Sequence, residues 1–309
     1  MKKILKYILL LSSSSAFACG GEWYEGMSFY SLFKQTNISA TEFYPFLRNE
    51  YNTPYDDKYG RAENMSYPKG NISLWKEILV DWNTTDLEKA IYTNDNFNWS
   101  TKNSEIEKRA KIYIDFAQLC SNMFDYRNNI NSWDYNEIKQ QRTIDTEDLL
   151  SNANLLLSSE KNQQLKARYY YQIIRILHYS NNWADAIKFY KVNIENKLPK
   201  NEIYYYMTDQ VAGCYYSTKN YEKAAYLFTK VLNKSIDRKQ SAFSSYNFCT
   251  NKNAEGKPFF NGIDDEKDLL LITSLRNFSD EVYNINKFIQ LDENDQRVEL
   301  LFMRALSNL

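Results

Sequence analysis

The chain has little that turns a backbone sharply and little that performs chemistry at neutral pH. Its 309 residues include only 8 Gly and 5 Pro, too few for the many tight turns of an all-β fold. A single histidine, His178, leaves no imidazole pair for a metal or a proton relay. No Gly-x-Ser-x-Gly elbow, phosphate-binding Gly-Lys loop or dinucleotide fingerprint occurs. No catalytic residue, metal ligand or cofactor is therefore assigned. Asp264-Asp265-Glu266 and the acidic turn Asp292–Asp295 lack the Gly and closing Glu of a calcium loop, and read as a helix start and a solvated turn. Nothing selects a carboxylate pair for glycoside hydrolysis. Cys120, Cys214 and Cys249 have no metal-like spacing and, being odd in number, imply no disulfide framework. Cys120 and Cys214 fall inside apolar helical runs, where buried thiols are expected.

What is present suffices for a folded core, at 43% hydrophobic residues. Tyrosine is abundant, with 26 copies, and suits helix interfaces because the ring buries while the hydroxyl finds a partner. Residues 1–18 read as a secretory signal: Lys2, Lys3 and Lys6, a short apolar run, and the exit Ala16-Phe17-Ala18. Beyond it no stretch approaches the roughly 18 uninterrupted apolar residues of a spanning helix. Without those three lysines the formal charge moves from −1 to −4, which argues against a nucleic-acid partner. Cys19 follows the exit directly. Ordinary cleavage and lipid attachment at Cys19 both fit, so membrane contact rests on lipidation alone.

Residues 19–70 read as an irregular, aromatic-rich arm, expected to cover the first helices as a cap. Within it, 28–34 and 41–49 are candidate short helices. Helices dominate from 71 to 309, with capping boxes at Thr85–Glu88 and Ser104–Glu107. Residues 127–143 read as a loop or short helix, with a further helix starting at Thr146. Residues 235–265, punctuated by Gly256, Pro258 and Gly262, read as a loop insertion. Residues 268–275 and 279–291 read as a degraded helix pair, and 296–309 as one more helix.

The most informative pattern is a module written twice, over 165–197 and 202–234. Trp183, Ala186 and Tyr190 align with Tyr221, Ala224 and Phe228 at an offset of 38 residues. These modules resemble tetratricopeptide repeats. Helix A of each supplies Tyr170, Ile173-Ile174 and Leu177, then Thr208, Val211-Ala212 and Tyr215. In helix B the small residue, Ala186 or Ala224, admits the close approach of its partner while the aromatics fill the sides. The chain departs from the motif at Ile174, which replaces a small residue. Asn181 and Lys219 stand at the turn glycine, and the Pro after helix B is missing. The resemblance implies an all-α, right-handed solenoid of antiparallel helix pairs. The N-terminus is also similar to exported helical-repeat proteins of Bacteroidota, which implies the periplasm, outer membrane or cell surface.

In the repeat family ligands lie against helix A. By position, the groove faces are Arg168, Tyr171, Arg175, His178 and Tyr179 in the first copy, and Tyr206, Asp209, Tyr216 and Ser217 in the second. Two guanidiniums among aromatics suit a carboxylate, an acidic peptide or a sugar; alternatively both arginines pair inside the solenoid. The leading expectation is a non-catalytic scaffold or peptide-binding protein. A SusD-like glycan-binding lipoprotein is the alternative, followed by an enzyme acting on polysaccharide or cell wall.

Overall fold

A computed structural model describes residues 41–46, 68–93, 97–99, 102–125, 135–276 and 279–307. The signal, Cys19, the 28–34 segment and most of the arm lie outside them. The described elements are all helical. In chain order they are α1 (Lys69–Ile78), α2 (Thr84–Glu88), α3 (Glu105–Asp125) and α4 (Tyr135–Ser159). Then come α5 (Gln163–Tyr179), α6 (Trp183–Asn193), α7 (Glu202–Ser217) and α8 (Tyr221–Lys234). The last four are α9 (Lys239–Thr250), α10 (Ile263–Ser274), α11 (Glu281–Leu291) and α12 (Arg297–Ser307). Short 3-10 turns cover Thr41–Phe46 and Lys257–Phe259, and a π turn, Lys89–Thr93, extends α2.

Local chemistry sets several helix starts. Asn162, Asn201, Asn220 and Asp280 each accept a backbone N–H of the following first turn, satisfying donors that a helix start leaves free. At Ser104 the capping box forms: Ser104 N and Oγ donate to Glu107 Oε2, at 2.9 and 2.6 Å, and Glu107 N donates to Ser104 Oγ at 3.3 Å. The box expected at Thr85 does not form. Asn83 caps α2 instead, accepting from Asp86 N at 2.8 Å, so the helix opens before Thr85.

The helices pack mostly as sequential pairs. α5 lies against both α6 and α7, and α7 against both α6 and α8. Alternate helices also touch, α3 with α5 and α5 with α7. The same turn closes α5, α7 and α9. In each, a residue with positive φ follows the helix: Asn181 (66°), Lys219 (64°) and Asn253 (57°). The next residue donates back across the helix end, Asn182 N to Leu177 O, Asn220 N to Tyr215 O and Ala254 N to Cys249 O. Thus the chain writes this turn three times, whereas only two copies are visible in the side-chain pattern.

Three expectations are corrected and one, the C-terminal helix pair, is met. Residues 235–265 are not a loop insertion, because they contain α9, whose Ala242, Tyr246 and Cys249 enter the core. α4 begins at Tyr135, well before Thr146. Residues 263–274 and 281–291 do pack together, but α9 stands before them as the third helix closed by the shared turn. Finally, Phe43 and Phe46 of the arm, expected on the first helices, are buried beside the C-terminal ones. Phe46 meets the Phe243 ring edge-on at 5.6 Å, and Arg304 Nη1 donates to the Phe46 carbonyl. Lys239 and Arg304 present hydrocarbon stems and cations there that nothing in the arm's composition announces.

Candidate functional site

α5 and α7 lie side by side, and between them they carry the sequence-assigned groove residues. Arg168 is only 3% exposed. Its guanidinium carbon stands 4.1 Å from the centre of the Trp75 ring on α1, and its Nη1 donates to Asn71 Oδ1 at 2.7 Å. α1 therefore covers the start of the face. Tyr206, also buried, donates from its hydroxyl to Asp237 Oδ2 at 2.8 Å. The same carboxylate accepts the first free N–H groups of α1, from Gly70 at 2.9 Å and Asn71 at 2.8 Å.

The turn between α8 and α9 delivers these charges. Glu202 holds that turn: it accepts from Ser235 Oγ, from Ile236 N at 2.8 Å and from Asp237 N at 3.0 Å. Next to Asp237, Arg238 donates from Nε and Nη2 to Asp209 Oδ2, at 3.0 and 2.6 Å. Its guanidinium also stands 5.4 Å from the Tyr206 ring. Burial opposes the charge on Arg238, but the Asp209 carboxylate keeps it protonated more firmly than usual. Burial, then the nearby Asp237 charge, pushes the Tyr206 hydroxyl far above the ordinary tyrosine value. Burial likewise raises Tyr92 to about 12, where it accepts from Asn71 Nδ2 at 2.6 Å. These tyrosines stay neutral and act as hydrogen-bonding walls.

Further along the face the residues are half-buried. Tyr171 meets Tyr206 edge-on at 5.5 Å, and the Arg175 guanidinium lies 5.5 Å from the Tyr171 ring. His178 Nδ1 pairs with Gln210 Oε1 at 2.7 Å, and its ring stacks on Tyr179 at 5.3 Å. Gly213 permits this approach, since a Cβ there would stand 2.8 Å from His178 Cε1. Tyr216 packs edge-on against Tyr221 at 5.1 Å. Arg168, Tyr206 and Asp209 thus lie beneath α1 and the 235–238 turn instead of facing solvent. Sequence spacing singled out residues of α5 and α7 and missed the groups that cover Arg168, Tyr206 and Asp209: Asn71, Trp75, Glu202, Asp237 and Arg238. Their separation in the chain, 166 residues from Asn71 to Asp237, leaves no periodic signal.

Of the repeat-packing residues, Ala186, Ala224, Tyr190 and Phe228 are buried. Tyr190 exchanges hydroxyl bonds with Tyr204 and Thr208, both at 3.0 Å. Trp183 and Tyr221 open their helices and remain half-exposed. Cys120, Cys214 and Cys249 are buried free thiols, each raised to about 12 by burial. Among the described residues no group of His, Cys, Asp or Glu converges as a metal site, and no helix is long and apolar enough to cross a membrane. Comparison with family models, curated proteins and solved structures returned no match.

Proposed function

We propose that the chain is an exported, non-catalytic helical-repeat protein that holds a protein or peptide partner in the envelope or at the cell surface. One observation carries this reading. The α5–α7 face engages a helical segment, α1, through an aromatic anchor and a carboxylate on its N-terminal N–H groups. That is chemistry for gripping a polypeptide. In this reading the helix pairs are tetratricopeptide-like units of a right-handed array, with Asn181 and Lys219 at the turn glycine. Arg175, Tyr171, His178, Tyr179 and Tyr216 extend the gripping face beyond α1.

Cross-linking in native envelopes, followed by recovery of the tagged chain, tests this reading. A defined partner lost on Arg175→Gln with unchanged thermal stability is the expected result; identical recovery from parent and variant would overturn it. Intact mass of the envelope protein tests the export step: a chain beginning at Cys19 is expected, with a diacylglyceryl increment if it is anchored. A chain still beginning at Met1 refutes export.

A glycan-binding reading draws on a different observation. Tyr171 and Arg175 on the half-buried stretch of the face bring an aromatic ring and a guanidinium together, 5.5 Å apart, chemistry that suits a sugar. Calorimetric titration with oligosaccharides separates this reading from the first.

A further inference from the structure

The seat of α1 is specific enough to describe what it selects. α1 starts after Pro68, which supplies no side-chain cap, so its leading N–H groups depend on Asp237 from far along the chain. A ten-residue helix is marginal by itself, and this one draws its first hydrogen bonds from the surface that seats it. The first turn is also selected by shape. A Cβ on Gly70 would stand 2.7 Å from Glu202 Cγ and 3.0 Å from Asp237 Oδ2. Glu202 cannot yield easily, because three hydrogen bonds from the 235–237 turn hold its carboxylate. One residue on, the Asn71 side chain donates to Tyr92 and accepts from Arg168. Five residues after the glycine, Trp75 inserts beneath the Arg168 guanidinium and is 1% exposed.

Resting on the functional reading above, we propose that this seat is the partner-binding site and that α1 is its tethered occupant. The partner it takes is a protein segment with Gly-Asn at the second and third positions of a helix and a Trp five residues after the glycine. Asp237 supplies the carboxylate for that helix's free N–H groups, Glu202 excludes a side chain at the position of Gly70, and Arg168 clamps the indole. An external segment competes with α1, so affinity depends on how firmly α1 is held.

The test uses the full chain and a fluorescein-labelled synthetic peptide of residues 68–79. Fluorescence anisotropy is read on the parent and on Trp75→Ala, with circular dichroism to verify the fold. The loosened variant binds the peptide at least about tenfold more tightly than the parent, whose seat is filled. Adding Asp237→Asn to the variant weakens binding by about tenfold or more, as expected for charge-assisted hydrogen bonds. A peptide carrying Gly70→Ala fails to bind. If Trp75→Ala does not fold, Trp75→Leu, which keeps an apolar side chain but gives up the indole beneath Arg168, takes its place. A folded, loosened variant that ignores the peptide, or accepts the Gly70→Ala peptide equally, overturns the proposal. Envelope capture with Arg175→Gln is read separately. A failed capture with intact peptide binding removes the functional reading alone, and the converse removes only this seat.

Discussion

The Arg168 guanidinium lies over the indole of Trp75, 4.1 Å from its centre, joining two helices 93 positions apart in the chain. A residue whose spacing marks it as a groove arginine thus takes part in burying α1. Arg168→Gln removes the cation over Trp75 and the charged bond to Asn71. It is expected to cost about 2–4 kcal/mol in urea unfolding. Arg175→Gln, on a half-buried residue, should cost clearly less. Equal losses would mean that Arg168 is not covered.

Ala186 and Ala224 are each fully buried. Enlarging either to Leu overpacks the helix contact by about 1–3 kcal/mol. Trp183 is half-exposed, so Trp183→Ala falls below the roughly 3–5 kcal/mol of a fully buried aromatic. Tyr190→Ala should cost more than Trp183→Ala, because Tyr190 loses both burial and two hydroxyl bonds. Thermal unfolding of the variants gives the order directly.

Lys219 holds a left-handed backbone with φ 64° at the turn between α7 and α8. That conformation costs a residue with a Cβ about 1–2 kcal/mol, part of which glycine returns as chain entropy. Lys219→Gly is expected to raise stability by up to about 1 kcal/mol. A lower melting temperature would show that the Lys219 side chain contributes something the backbone angle does not reveal.

Lys239 is buried, and among the described residues no carboxylate is in contact with it: its Nζ donates to Leu232 O at 2.8 Å and lies 4.0 Å from the centre of the Phe43 ring. Burial lowers its pKa from 10.5 to about 8. The unfolded chain therefore binds more protons between these values, and stability rises with pH across that window. At lower pH both states are protonated and the cost of the buried charge is fully present. Buried tyrosines act in the opposite sense. Burial raises the pKa of Tyr92 and of Tyr169, Tyr190, Tyr206 and Tyr246, so above about pH 10 their ionisation favours the unfolded chain. Denaturation between pH 7 and 9.5 should show the rise in the parent and its loss in Lys239→Met. A flat parent profile refutes the buried amine.

Asp268, 1% exposed, joins three helices by accepting from Lys230 Nζ and from Arg297 Nη1, both at 2.8 Å. Asp268→Ala leaves Lys230 paired with Asp265 and Arg297 with Asp295, so it removes two charged bonds without stranding either cation and should cost about 1–3 kcal/mol. Asp268→Asn, which keeps an acceptor oxygen, should cost less than Asp268→Ala. Urea midpoints decide between them.

How much of this was legible in the sequence varied with the range of the interaction. Ser104–Glu107 capping is a contact within one turn, and it formed as read. α9 escaped reading because Lys239–Thr250 carries Ser, Asn and Gln between its buried Ala242, Tyr246 and Cys249. Its short apolar stripe is hard to distinguish from a polar loop. The shared turn was hidden for another reason: Asn181, Lys219 and Asn253 adopt one backbone angle without sharing a residue type.

By itself, the sequence determined that the described chain is helical and that Ala186 and Ala224 sit where helices must approach closely. Periodicity and small side chains act over a few residues, so they are written locally. Only tertiary structure decided that α1 lies on the α5–α7 face, that Phe43 and Phe46 rest beside α9 and α12, and that Asp237 meets Gly70 and Asn71. Those contacts join residues far apart in the chain, 93 positions for Trp75 and Arg168. Burial and charge pairing select them only after the helices exist as surfaces.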